Sequence, residues 1–438
     1  MTAESQTKSG SRQVRAWCLY DWANSAYVTT VAVAVLPAYF AAAVVPQGGV
    51  VVAGVTFSAA SLWGYLISAC ALAVFILAPL LGAVADHSGF RRRFLMTFCI
   101  MGSIASVLLL TTGPGLVWWT MALFFVAQVG FVGGNVFYDA FLPHVAAPGD
   151  MDRVSGRGFA YGYLGGGLQF ALSLGLIAGH AQLGLDKDLA ARLAMAFAGV
   201  WWGGFALLTF RGLREPAGAP LPGGERGVGA VPAYLRLGLT RVRGVWGRAR
   251  AVPGLTMFLA AFLFYNDGVQ TVISMATIYG KTELGLSNTV LMLTLLIIQF
   301  VSIFGAELFS RLAGLMTTRR ALMLAVALWG GVAVYAYGMD SAAEYFAMGG
   351  IVGLVMGGSQ ALSRSMYARL IPADRSAEFF GYFSVVSRLS AIAGPFVFAV
   401  VAQATGSSRG AILWLVGFFA VGFVLLSLVR DPDPEEQR

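Results

Sequence analysis

Charge is scarce in this sequence. Asp, Glu, Lys and Arg make up 11% of its 438 residues, where a soluble domain carries about 25%, so a water-soluble globular protein is excluded. Only three cysteines occur, Cys18, Cys70 and Cys99, each in or beside an apolar stretch. They form neither a disulfide framework nor a metal-binding spacing and read as small packing residues. The three histidines, His87, His144 and His180, are scattered, so no metal site is expected. No glycine-rich phosphate loop follows a strand pattern and no hydrolytic constellation stands out. An ATP-driven machine and an enzyme are therefore both disfavoured, and no cofactor is expected. Residues 1–11 are polar and lack the charged, apolar, small-residue order of a cleaved signal peptide.

What the chain has is apolar length. Hydrophobic residues make up 58% and the mean hydropathy is +0.75. Apolar stretches fall at about 14–45, 60–85, 94–112, 116–143, 154–181, 190–210, 253–279, 287–310, 321–338, 343–368, 377–404 and 410–429, each long enough for a bilayer that needs about 20 residues. They predict an all-α polytopic membrane protein with twelve transmembrane helices. The chain divides into six helices over 1–210, a basic linker over 211–252 and six more over 253–438. With the N-terminus inside, 23 lysines and arginines fall on the inner side, four outside and two within spans. That bias supports two cytoplasmic termini. The formal +8 charge then reflects topology and gives no reason to expect nucleic acid. The linker's run from Pro232 to Arg250 suits a basic helix on an anionic leaflet, with membrane lipids as partners, or an ordinary linker helix.

The two halves repeat. Tyr20-Asp21-Trp22-Ala23 in helix 1 lines up with Tyr265-Asn266-Asp267-Gly268 in helix 7. Pro148-Gly149-Asp150 after helix 4 matches Pro372-Ala373-Asp374 after helix 10, and Arg91-Arg92-Arg93 matches Arg319-Arg320. Duplicated six-helix units around a central cavity are the plan of transporters that rock one half against the other.

These residues also carry a resemblance. Gly82-Ala83-Val84-Ala85-Asp86-His87-Ser88-Gly89-Phe90-Arg91-Arg92-Arg93 resembles the cytoplasmic helix 2–3 signature of the major facilitator superfamily. Three further blocks are similar to the autophagy-related vacuolar amino-acid effluxer family and its bacterial relatives. They are Tyr20-Asp21-Trp22-Ala23-Asn24-Ser25-Ala26-Tyr27, Asp152-Arg153-Val154-Ser155-Gly156 leading to Gly165-Gly166-Gly167, and Tyr265-Asn266-Asp267-Gly268-Val269. The resemblance spans essentially the whole chain. It implies the major facilitator fold and a permease, and its fungal members are linked to amino-acid export from the vacuole.

A carboxylate inside a membrane span costs at least ~2.5 kcal/mol, so it marks a candidate site. Counting from the inner end, Asp21 lies about 10 Å deep and Asp267 and Arg388 about 15 to 20 Å deep. Helical spacing puts Asn24 and Ser25 on the Asp21 face. Asp21 is then a proton carrier or substrate group, or else a packing acid hydrogen-bonded within its own half. Tyr265 and Asn266 flank Asp267 in the second half. Asp267 and Arg388 can form a buried ion pair, or Arg388 can grip a substrate carboxylate; the substrate or coupling role is preferred. Trp22, Tyr27, Tyr39, Tyr138 and Tyr265 are candidates to stack on substrate, or plain packing. For gating, Asp86 with Arg91 is expected to hold one rocking state, against a simple positive-inside turn. Asp139 and Arg364, at matching depths of helices 4 and 10, are either an ion pair closing a cytoplasmic gate or two residues paired separately. Reversing both charges together should rescue transport lost in each single reversal, and no rescue would exclude the pair. Glu307, with Arg311 one turn on, is either the second-half counterpart of Asp86 or a local i, i+4 pair.

The sequence thus reads as a secondary active transporter of a small polar or zwitterionic solute, an amino acid among the candidates, working by alternating access with proton coupling. Export of amphipathic drugs or lysolipids is one alternative, and a non-transporting sensor or scaffold another. A monomer in the bacterial inner membrane is expected.

Overall fold

The computed structural model describes residues 3–216, 254–391, 393–405 and 408–429, together with Gly247, Arg250 and Val252. The basic linker helix expected from Pro232 lies largely outside them.

Twelve helical segments account for nearly all of the described chain. They are α1 (Ser11–Val44), α2 (Ala59–Ser88), α3 (Arg91–Leu108), α4 (Val117–Ala140), α5 (Met151–Ala178), α6 (Lys187–Gly212), α7 (Leu255–Thr282), α8 (Asn288–Leu315), α9 (Thr318–Tyr337), α10 (Ala342–Leu370), α11 (Ser376–Leu389 and Ala393–Thr405) and α12 (Ser408–Ser427). Ten segments are long and apolar enough to cross a membrane. The other two, α5 and α7, are 28 residues each. Their apolar runs are interrupted by Gly165, Gly166, Gly167 and Gln169, and by Asn266 and Asp267. The protein is an all-α polytopic membrane protein.

Local chemistry sets the helix ends. Ser58, Asp186, Ser287 and Thr317 each accept backbone N–H bonds as N-caps, and Ser341 with Glu344 forms a capping box. Gly89 ends α2 at φ 65°, left-handed backbone that glycine adopts without steric cost.

Three departures from plain helices appear. After Ala26, α1 widens into π-helix over Tyr27–Val35 and again over Phe40–Val44, with the Pro37 turn between. A small antiparallel hairpin, β1 (Val50–Val52) and β2 (Val55–Phe57), joins α1 to α2. Helix α11 is interrupted between Leu389 and Ala393.

The chain forms two compact units. One comprises Met1–Phe141 and Tyr161–Gly238, the other Leu142–Ala160 and Leu239–Arg438. Within each, the same neighbours recur. In the first, α1 packs on α6, α3 on α4 and α6, and α2 on α4; in the second, α7 packs on α12, α9 on α10 and α12, and α8 on α10. The duplication is therefore one of packing as well as of sequence.

Large apolar side chains such as Tyr65, Val200, Phe304 and Trp414 face outward. In water such a surface would be an aggregation liability; on a membrane protein it is the face that lipid covers.

Candidate functional site

In the first unit a polar stripe runs along α1. Asp21, 9% exposed, accepts a hydrogen bond from the Tyr138 hydroxyl of α4 at 2.7 Å. Tyr138 is fixed by Trp17, whose ring stacks on it at 4.5 Å and whose Nε1 donates to its carbonyl at 2.8 Å. Farther along α1, Asn24 donates to Asn135 Oδ1 at 2.6 Å and Tyr27 to Gln128 Oε1 at 3.0 Å. Thr30 donates to Gln169 of α5, which donates in turn to Ser173. Each polar group thereby exchanges water for a partner on α4 or α5, offsetting the cost of burial.

Asn24 and Ser25 part company. Asn24 turns to α4, whereas Ser25 lies against Gly162 and Gly166 of α5. A Cβ at Gly165 would run into the Trp22 carbonyl, so glycine there permits the close approach of α5 to α1. Of the two readings open for the aromatics, packing fits Trp22 and Tyr27. Trp22 stacks on Trp201 at 5.7 Å, and Tyr27 lies against Phe131 and Trp202.

At the basic end of the same unit, Asp86 and Arg91 form the expected pair. Both are fully buried, and Arg91 Nε and Nη2 each reach Asp86 Oδ1 at 2.7 Å. Beside them, Glu215 caps the start of α3, accepting the Arg92 amide at 3.0 and 3.1 Å. Glu215 is exposed as a residue, and its carboxyl group is partly desolvated beside the start of α3. Lost hydration holds it above the usual Glu range, with the Arg92 amide opposing that shift. Sequence reasoning passed over this residue.

In the second unit, Tyr265, Asn266 and Asp267 are all buried, and each reaches a different partner. The Tyr265 hydroxyl meets Ser363 Oγ at 2.7 Å, and Asn266 donates to Ser390 Oγ at 2.6 Å. Asp267 Oδ1 accepts the Gly394 amide at 2.9 Å. Ser390 closes the first piece of α11 and Gly394 lies in the first turn of the second. Asp267 thus caps a half-helix inside the membrane fold, where its charge complements the positive end of the helix dipole. A Cβ at Gly394 would collide with the Thr271 hydroxyl and the Asp267 carboxylate. The Asp267 carboxylate takes this amide and not the Arg388 guanidinium, which is exposed just before the break; the ion pair weighed from the sequence is not formed.

The remaining charges sort differently. Arg364, 5% exposed, donates to Ser155 Oγ at 3.1 Å and to its carbonyl at 2.9 Å, with the guanidinium 4.0 Å from the Phe159 ring centre. Asp139 is half-buried on α4 in the other unit. Glu307 pairs with Arg311 at 2.9 Å on an exposed helix face, the local i, i+4 arrangement.

One cluster escaped sequence reasoning. Asp152, at the start of α5, accepts Thr318 Oγ1 at 2.7 Å, Arg369 Nη2 at 2.6 Å and the Ser365 hydroxyl. Ser310 donates to its carbonyl, and Ser155 to that of Ala361. These bonds account for residues 142–160 packing with the second unit. The signal was present in the quoted Asp152-to-Gly156 block, but its partners are 158 to 217 residues away.

Solved structures share this architecture. The human organic anion transporter MFSD10 (TETRAN) superposes with a TM-score of 0.68 at 18% identity, covering 95% of this chain and 99% of that one. The transporter FucP in its outward conformation gives 0.68 at 12% identity, covering 95% and 98%. At these identities the likeness is one of fold. With its duplicated helix sets and a full-length sequence relative that is an MFS-type transporter, the molecule is a transporter of the major facilitator superfamily and not an enzyme. An uncharacterized MFS-type transporter, YxiO, of Bacillus subtilis is 34% identical, covering 97% of this chain and 96% of its own length. Autophagy-related protein 22 of Coccidioides immitis is 25% identical, covering 87% and 73%. More narrowly, residues 9–433 match the family model described as "Vacuole effluxer Atg22 like", and the chain belongs to that family.

Proposed function

We propose that this transporter moves a small polar or zwitterionic solute, with amino acids the leading candidates, by alternating access driven by protons. The observation that carries the reading is the pair of buried acids, Asp21 on α1 accepting the Tyr138 hydroxyl and Asp267 on α7 accepting the Gly394 amide. An acid buried within a membrane span is costly, and such acids mark proton and substrate pathways in transporters. The family description, an effluxer, supports export as the direction. Arg388 is assigned to a substrate carboxylate, which a planar guanidinium fork suits. Asn24, Ser25, Tyr265 and Asn266 shape the surroundings of the two acids. Asp86 with Arg91, and Asp139 and Arg364 in their respective halves, are assigned to gating, whereas Glu307 needs no role beyond its local pair. The lysine and arginine bias supports both termini in the cytoplasm, and the Bacillus subtilis relative supports a bacterial cell membrane. We take the protein to act as a monomer.

The test is uptake of labelled amino acids into proteoliposomes carrying a pH gradient. Uptake is expected to follow the gradient and to fall about tenfold or more in Asp21→Asn, a loss of about 1.4 kcal/mol in the driving step. Uptake indifferent to the gradient would remove the proton. A thermal-shift screen supplies the substrate class, since a ligand that binds only the folded protein raises its stability. Stabilisation by amphiphiles and not by amino acids would favour export of amphipathic compounds instead, and binding without flux would favour a sensor.

A further inference from the structure

The hairpin between α1 and α2 is the one piece of sheet among the described residues. Val50 pairs with Phe57, Val51 with Thr56 and Val52 with Val55. Its two-residue turn has Ala53 at φ 50° and Gly54 at φ 81°, both positive as a type I′ turn requires. A two-stranded hairpin alone is marginal in water. This one also turns Val51, Val52 and Val55 outward at 67%, 39% and 56% exposure. Phe57 rests edge-on against Tyr65 of α2 at 6.0 Å.

The surroundings identify what covers those valines. From Trp22 to Ala85 the sequence contains no Asp, Glu, Lys, Arg or His. Tyr65 is itself exposed and shares one helical face with the exposed Leu72 and Ile76, at i, i+7 and i+11. On a membrane-spanning helix that face meets lipid, and the hairpin adjoins it with only uncharged residues between, Ser58 and Ser61 among them. The same end of the unit carries exposed Trp118 and Trp119 at the start of α4. The turn before them is tied to the end of α1 by the Gly115 amide, which donates to the Val44 carbonyl at 2.9 Å. Exposed Trp and Tyr mark the headgroup level of a bilayer.

We propose that the hairpin is seated in the headgroup–acyl boundary of the leaflet opposite the Arg91 to Arg93 end, with lipid as its partner. It anchors the far end of α1, which places any bending of that helix in its π-helical turns at Tyr27–Val35 and Phe40–Val44.

The three native cysteines are buried, so Val51→Cys offers an accessible thiol for an environment-sensitive fluorophore. The full-length protein is reconstituted into phosphatidylcholine vesicles containing shallow nitroxide-labelled lipid. Emission at position 51 should be blue-shifted and quenched several-fold more by the lipid nitroxide than a label at Leu183→Cys, in the exposed turn before α6. Aqueous iodide should show the reverse preference. With the label at Val52→Cys, adding Val55→Asp should shift emission toward water. Iodide quenching equal at positions 51 and 183, with none from lipid, places the hairpin in water and overturns the proposal. Protection from both quenchers means that protein covers it, and overturns the proposal equally.

Discussion

Asp267→Asn is expected to abolish proton-driven accumulation while leaving substrate exchange across the same vesicles largely intact. Asparagine keeps an oxygen that can accept the Gly394 amide, so the cap on the second piece of α11 survives. It removes the ionisable group, fixing the site in a state equivalent to the protonated acid. Exchange needs only the movement of loaded carriers, whereas accumulation needs the proton to leave. Asp267→Leu should do more. It removes the acceptor, strands a buried amide and costs about 1 to 3 kcal/mol, to which lost dipole complementarity adds about 0.3 to 1 kcal/mol. Amide exchange at the start of the Ala393–Thr405 piece should then accelerate in Asp267→Leu and stay near wild type in Asp267→Asn. Wild-type accumulation in Asp267→Asn would remove Asp267 from coupling. Unchanged exchange in Asp267→Leu would show that the cap contributes nothing to α11.

Much of the fold was legible because the bilayer leaves few options. A spanning segment must satisfy its own backbone and present apolar side chains, so twelve apolar stretches became twelve helices with ends shifted by only a few residues. The Asp86–Arg91 pair was legible for a similar reason, being local in sequence and bracketed by the Gly89 turn. What could not be read depended on distant partners. The break in α11 had a local signal in Gly394-Pro395, since proline in a first helical turn gives up no intrahelical bond. Nothing local, however, joined it to Asp267, 127 residues earlier. Helical spacing put Asn24 and Ser25 on the Asp21 face but could not say that one would face α4 and the other α5. The π-helical turns of α1 have no compositional signature at all.

Asp152→Ala should be the most destabilising single change in the second unit. Arg369 and Asp152 are 16% and 9% exposed at their side chains, with 2.6 Å between their charged atoms. Removing one partner of such a buried pair leaves the other charge uncompensated, at about 3 to 5 kcal/mol. Thr318 and Ser365 would also lose their acceptor. Thermal unfolding of the purified protein should fall by about 10 °C, taking about 2 to 4 °C per kcal/mol for a unit of this size. Asp152→Asn, which keeps acceptor oxygen but not charge, should lie between alanine and wild type. Pairing Asp152→Leu with Arg369→Leu should recover part of the loss, because no charge is then stranded. The effect should also be local. Amide exchange across 142–160 should rise more than in α12, because Asp152, Ser155 and Arg364 hold that stretch to α8, α9 and α10. A drop of only a degree or two, without faster exchange over 142–160, would mean that water already screens the pair. The packing of this segment would then rest on its apolar contacts, among them Phe159 under the Arg364 guanidinium.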